Sequence, residues 1–359
     1  MPRWAQFGLA RGKDPRRVAL GAAPDPSAPA SATDIKEAGA SLFAAIDARD
    51  AEILRQTLDF MRDGAGGEPR AVLRDAAGCR SFWTDQTPLL AAVDAGRLDL
   101  ARLILDACPD AAGAWDAWGA GAALLAVRGG TRDTEPDVVA FLDECARLYP
   151  EAMAGGPAVG PPGAVPVLDG APGGKRRASA APSVRSQHLA GLAMAASKAG
   201  LVAVLHRIIE IHYQWHPDEA AAAAGPGGRG PVCGSSLRST KGATPLHTAC
   251  RNGRAGMAVW LAWCHGVCPR VLDSSGRDAA SMLGSARLTW DLGAVSRPAA
   301  GPAGMDMLSE LVRRGREDAE GAGGGKAALR RLLQRCHNRC SRWCLRSRLV
   351  LWRAAPWWT

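Results

Sequence analysis

The sequence contains no run of eighteen consecutive apolar residues, so it offers no membrane-spanning helix. It shows no recognisable secretory signal, and its ten cysteines stand singly within helical patterns. Cysteines placed this way read as reduced, buried small hydrophobes, and the expected location is intracellular, cytoplasmic or nuclear. Arg3, Arg11, Lys13, Arg16 and Arg17 face only one acid, Asp14, in the first twenty residues. An organelle transit peptide is the alternative there to a basic leader without fixed structure.

Acidic residues are missing altogether from the C-terminal stretch. Between Lys326 and Thr359 nine Lys and Arg residues meet no Asp or Glu. The whole chain carries 44 basic and 35 acidic residues, so without this stretch the two signs balance at 35 each. The net charge of +9 is thus a local property of the last tenth of the chain, which points to an electrostatic role there and none elsewhere.

Catalytic signatures are also missing. Gly174-Lys175 is followed by Arg176 and Gly325-Lys326 by Ala327, where a phosphate loop needs Ser or Thr for its magnesium ion. His212 and His216 sit four apart but lack the Glu of a zinc-protease motif and run into Pro217. Cys264-His265-x-x-Cys268 and Cys336-His337-x-x-Cys340-x-x-x-Cys344 hold the residue types of a metal site. In the second, however, Cys336, Cys340 and Cys344 fall on one helix face, continuing the stripe Leu329, Leu332, Leu333, which explains the spacing without a metal. No catalytic, cofactor or metal residue is assigned, and the chain reads as non-enzymatic.

What is present is a repeat. Thr87-Pro88-Leu89-Leu90-Ala91-Ala92 and Thr244-Pro245-Leu246-His247-Thr248-Ala249 share a pattern, and each reaches a glycine nine residues after its threonine, Gly96 and Gly253. An apolar helical stripe follows each glycine: Leu98, Leu100, Leu103, Ile104 in the first and Met257, Val259, Trp260, Leu261 in the second. Threonine suits a helix N-cap, proline the first helical position, and glycine a reversal at positive φ. Weaker copies start at Gly121, reaching Gly130, and at Gly191, reaching Gly200. Leu42 to Leu58 resembles an N-terminal capping unit, and Asp278-Ala279-Ala280 begins a unit that soon departs from the pattern.

These segments resemble the ankyrin repeat, whose unit is a turn, a short helix opened by Thr-Pro-Leu-His, a glycine reversal, a longer helix and a projecting hairpin. The resemblance implies an all-α solenoid of paired antiparallel helices with short hairpins. Starts 34 residues apart from Thr87 to Gly121, and from Thr244 to Asp278, fit the family period, whereas gaps of 70 and 53 mark insertions. The expected layout is a Pro/Ala leader at 1–37, repeats at 38–150 and a Gly/Pro-rich linker at 151–186. Repeats at 187–290 with an insertion at 217–242, a linker at 291–325 and a basic amphipathic tail at 326–359 complete it. One interrupted array and two short ones both fit this spacing.

By the same resemblance Thr87, Pro88, Gly96, Thr244, Pro245, His247 and Gly253 are structural. Partner contacts fall at Trp83, Gln86, Asp94, Trp118, Arg128, Lys241, Arg251, Asn252, Ser274 and Arg277, with Trp118 and Arg251 as hot-spot candidates. The expected function is a protein-interaction scaffold or adaptor without cofactor, its partner another protein. The tail leaves other readings open: a cap on the last repeat, a ligand for an acidic partner or anionic membrane surface, a nucleic-acid contact, or an aberrant terminus. Lys175-Arg176-Arg177-Ala178-Ser179 resembles a basophilic-kinase substrate, which makes Ser179 a regulatory candidate.

Overall fold

The computed structural model describes residues 32–63, 75–81, 85–116, 120–148, 184–215, 237–283, 287–292, 301–321 and 324–338. Trp83, Trp118, Ser179 and the tail beyond residue 338 lie outside them. Among the described residues the regular structure is helical, in two compact units, residues 1–129 with 140–175 and residues 130–139 with 176–359.

In the first unit α1 (Ala32–Ala48) and α2 (Ala51–Asp63) form a pair. Arg49 turns the chain at φ 55, and Asp50 Oδ1 caps α2 by accepting from the Glu52 and Ile53 N–H groups at 2.9 and 3.2 Å. Leu42, Ala45 and Ile46 of α1 and Leu54, Leu58 and Met61 of α2 recur at helical spacing and are buried. The pattern repeats in α3 (Pro88–Asp94) and α4 (Leu98–Ala107), and α5 (Ala122–Gly129) opens a third copy. Helix α1 packs on α3 and α3 on α5, while α2 packs on α4. First helices thus stack on first helices and second on second, as expected of units that cannot bury their own faces alone. Helix α6 (Glu135–Leu148) places Phe141, Leu142 and Cys145 in the core.

The second unit has the same logic in α7 (Val184–Ala199), α8 (Val202–Trp215), α9 (Pro245–Arg251) and α10 (Ala255–Cys264), with α7 packed on both α8 and α9, and α9 on α10. Every residue from Ala255 to Ala262 is buried. Such a helix needs cover on all sides. One cover is α11 (Gly301–Glu320), which packs on α10, and another is the strap 287–292. The strap bonds to the start of α10: Thr289 N–H donates to Gly253 C=O at 2.7 Å, and Gly256 N–H to Thr289 C=O at 3.1 Å. A Cβ on Gly256 would stand 2.8 Å from the Trp290 carbonyl oxygen and 3.1 Å from that of Asp291. Gly256→Ala must therefore push the strap away, and the expected loss is about 1–3 kcal/mol by urea denaturation.

Helix α12, residues 324–338, follows α11 and buries Ala328, Leu329, Leu332, Leu333 and Cys336. The loop after α10 holds it. Arg270 donates to Gln334 Oε1 at 2.7 Å, and Cys268 Sγ lies 3.6 Å from His337 Nδ1.

Four expectations about boundaries change. The first described helix begins at Ala32, so the leader ends before residue 37. Residues 237–242 belong to the repeat rather than to an insertion, since Leu237 is buried and Ser239 N–H bonds to Ala243 C=O. The stretch 291–325 contains the 20-residue helix α11, held by Arg313 and Arg314 on Glu310 and by Arg316 on Glu320. Gly130 has no positive φ, unlike Gly96, Gly200 and Gly253 at 72, 90 and 70°. There Thr131 to Thr134 supply the reversal, with Thr131 N–H bonded to Thr134 Oγ1 at 2.9 Å.

Candidate protein-binding surface

Both strong copies open their helices as the side chains dictate. Thr87 Oγ1 accepts from Leu90 N–H at 3.4 Å, with Pro88 in the first helical turn. At Thr244 the cap is reciprocal. Its Oγ1 accepts from His247 N–H at 3.4 Å, and His247 Nδ1 accepts from Thr244 N–H at 3.2 Å. With Nδ1 an acceptor, the proton of neutral His247 sits on Nε2 and is donated to Arg277 C=O at 3.1 Å. One fully buried ring thus joins a cap to the hairpin thirty residues on.

That hairpin, residues 273–277, is held by Asp273. Its N–H donates to Arg277 C=O at 2.9 Å, its Oδ1 accepts from Ser275 and Arg277 N–H at 2.8 and 2.9 Å, and its Oδ2 pairs with the Arg277 guanidinium at 3.0 Å. The Arg277 backbone bond leads in holding the Asp273 carboxyl below its ordinary range. Ser274 N–H also donates to Lys241 C=O at 2.9 Å, tying this hairpin to the preceding one, residues 239–243. The glycine of that first hairpin, Gly242, sits at φ 70° with a Cβ position 3.2 Å from Ser274 N, so the approach needs glycine.

The two hairpins and the end of α9 present Lys241, Arg251, Ser274, Ser275 and Arg277 as exposed residues. Leu272, 55% exposed on the same segment, joins them, although carrying contact positions over from the repeat pattern did not select it. Asn252 is half-buried and spends its amide on Thr248 C=O at 2.8 Å. In the first unit Asp94 and Arg128 are exposed. Gln86 is 7% exposed because Ser81 N–H folds back onto its carbonyl at 2.9 Å, so it offers little to a partner and leaves the contact set.

His247 separates frame from surface. His247→Ala removes the ring that accepts from Thr244 N–H and leaves that donor buried, at an expected cost of about 1–3 kcal/mol. Thermal circular dichroism would read it as a lowered melting temperature, whereas Lys241→Ala should leave melting unchanged.

Cys264, His265 and Cys268 occupy the end of α10 and its loop, and among the described residues no group of three or more Cys, His, Asp or Glu stands close enough to hold a metal ion. Burial pushes the thiols of Cys145 and Cys250 up to about 12. Among the described residues no helix is long and apolar enough to cross a membrane. In the described part of the tail the apolar stripe of α12 is buried within the protein, so between 326 and 338 only the arginine side is offered to solvent.

Sequence comparison agrees with this geometry. Residues 241–274, which run from within the first hairpin through the helix pair into the second hairpin, match the family model of the ankyrin repeat. No curated protein matches the chain. The chain carries an ankyrin repeat, and among the described residues the fold is an all-α helical-repeat arrangement of the ankyrin type. Ankyrin repeats mediate binding to other proteins.

Proposed function

We propose that this chain is a non-enzymatic scaffold or adaptor whose partner is another protein, docked across the hairpins and first helices of the repeats. The observation that carries this reading is the division of labour at residues 241–277. Thr244, His247 and Asp273 are buried and fix the hairpins, while Lys241, Arg251, Leu272 and Ser274 on the same frame face solvent. A rigid frame with outward side chains binds at low ordering cost. Among the described residues neither Lys241 nor Arg251 has a carboxylate partner, so the face carries uncompensated positive charge suited to an acidic region of the partner.

Quantitative capture with the full chain and with the double variant Lys241→Glu/Arg251→Glu tests this. Proteins retained by the parent chain should fall by about tenfold on the variant, which corresponds to 1.4 kcal/mol, with no change in melting temperature. Equal retention on both baits would sink the reading.

A further inference from the structure

Outside the repeat face, the second unit has an open groove of about 1080 Å³ bounded by the strap 287–292, α11 and the start of α12. Its wall is largely apolar, from Leu288, Trp290, Leu292, Val312 and Ala319. Charges line its edges, and most are already matched. Arg313 is paired with Glu310 and Glu317, Arg316 with Glu320 at 3.1 Å, and Asp291 with Arg132. Two cations remain, Arg287 and Lys326, both exposed and, among the described residues, without a carboxylate partner. The amino-terminal turn of α12 beside Lys326 adds its dipole in the same sense.

We infer that this groove is a second docking site, distinct from the repeat face, for an acidic segment of a partner protein with one apolar side. Charge selects the occupant, since among the described residues the uncompensated groups on the edge are positive and an acidic segment supplies the missing carboxylates. Size and openness select a segment over a small molecule. Small-molecule sites enclose 70–90% of their ligand and reach roughly 1,000 Å³, whereas a groove of this volume lying open would leave such a ligand wet. An amphipathic helix laid along a groove buries its apolar face on the wall and sets its acids against the edge.

Fluorescence anisotropy on the full chain tests the site with a fluorescein-labelled peptide of about 15 residues, in which Leu recurs every three or four positions among Glu. A matched peptide with Gln in place of Glu keeps the apolar side without charge. Arg287→Glu/Lys326→Glu should weaken the Glu peptide by about tenfold or more, and the Gln peptide should bind as weakly to the parent chain. Lys326→Glu places an acid in the first turn of α12, where the helix dipole favours it, so lost binding would not reflect a lost helix. Lys241→Glu/Arg251→Glu is expected to leave this peptide's binding unchanged, which separates the groove from the repeat face. No binding of the Glu peptide, binding indifferent to the groove variant, equal binding of the Gln peptide, or binding lost in the repeat-face variant would each overturn the proposal. Tight binding of a small amphiphile such as dodecyl phosphate in place of the peptide would overturn its choice of occupant.

Discussion

Trp260→Ala is expected to cost about 3–5 kcal/mol of stability, a large share of the roughly 5–15 kcal/mol that holds a domain folded. Among the described residues the indole is the largest fully buried side chain, 0% exposed at the centre of a helix whose neighbours are also covered. It packs edge-on to His265, with ring centroids 4.4 Å apart, and to His206 at 6.2 Å. Its loss opens a cavity at a point where α8 and the loop after α10 meet. The indole N–H, however, has no hydrogen-bond acceptor among the described residues. Trp260→Phe removes volume without orphaning any partner, so most of the stability should return. Urea unfolding of the two variants checks this ordering, and equal losses would show that the polar end of the ring matters after all.

Mild acid is expected to destabilise the same unit strongly. Burial is the leading cause that lowers His188, His206, His247 and His265 from the ordinary histidine value, to about 4 for His188 and about 3 for His265. Glu210, 3.2 Å from His206, and Asp273, near His247, oppose the shift without reversing it. Each histidine is held neutral in the folded chain and takes up its proton near pH 6.5 once unfolded. Between pH 6.5 and the lowered values the unfolded chain therefore binds more protons, so stability is full above about pH 6.5 and falls as pH drops. At 1.36 kcal/mol per unit, His188 alone accounts for about 3 kcal/mol by pH 4. Urea midpoints at several pH values should decline steadily through this window, and a flat profile would contradict the histidine burial.

The strong copies were legible because their signals are local. The cap at Thr244, the proline after it and the glycine reversal at Gly253 lie within nine residues, and His247 adds the link to the next hairpin. What was not legible depends on distant partners. Glu135 caps α8 by accepting from Ala203 and Val204 N–H at 2.6 and 3.2 Å, and nothing around Glu135 announces a helix 68 residues away. Burial raises its carboxyl despite those bonds.

Helix α11 did carry a signal. Leu308, Leu311, Val312 and Gly315 share one stripe, and Glu310 stands three and four residues before Arg313 and Arg314. Within it Gly315 serves packing. A Cβ there would stand 2.5 Å from both Leu332 and the Trp290 ring, so glycine marks a close crossing. Gln86 shows the reverse error, since a contact position carried over by resemblance proved to be turned into the fold.

Site-specific photocrosslinking tests the central claim most directly. A benzophenone side chain would be placed in turn at Ser274 and Lys241 on the hairpins and at Glu52 and Gln214 on the second helices, all four exposed. If the repeat face docks a protein, the two hairpin positions should crosslink to the same partner and the two second-helix positions should not. Crosslinks confined to Glu52 or Gln214, or none at either hairpin position, would contradict the account.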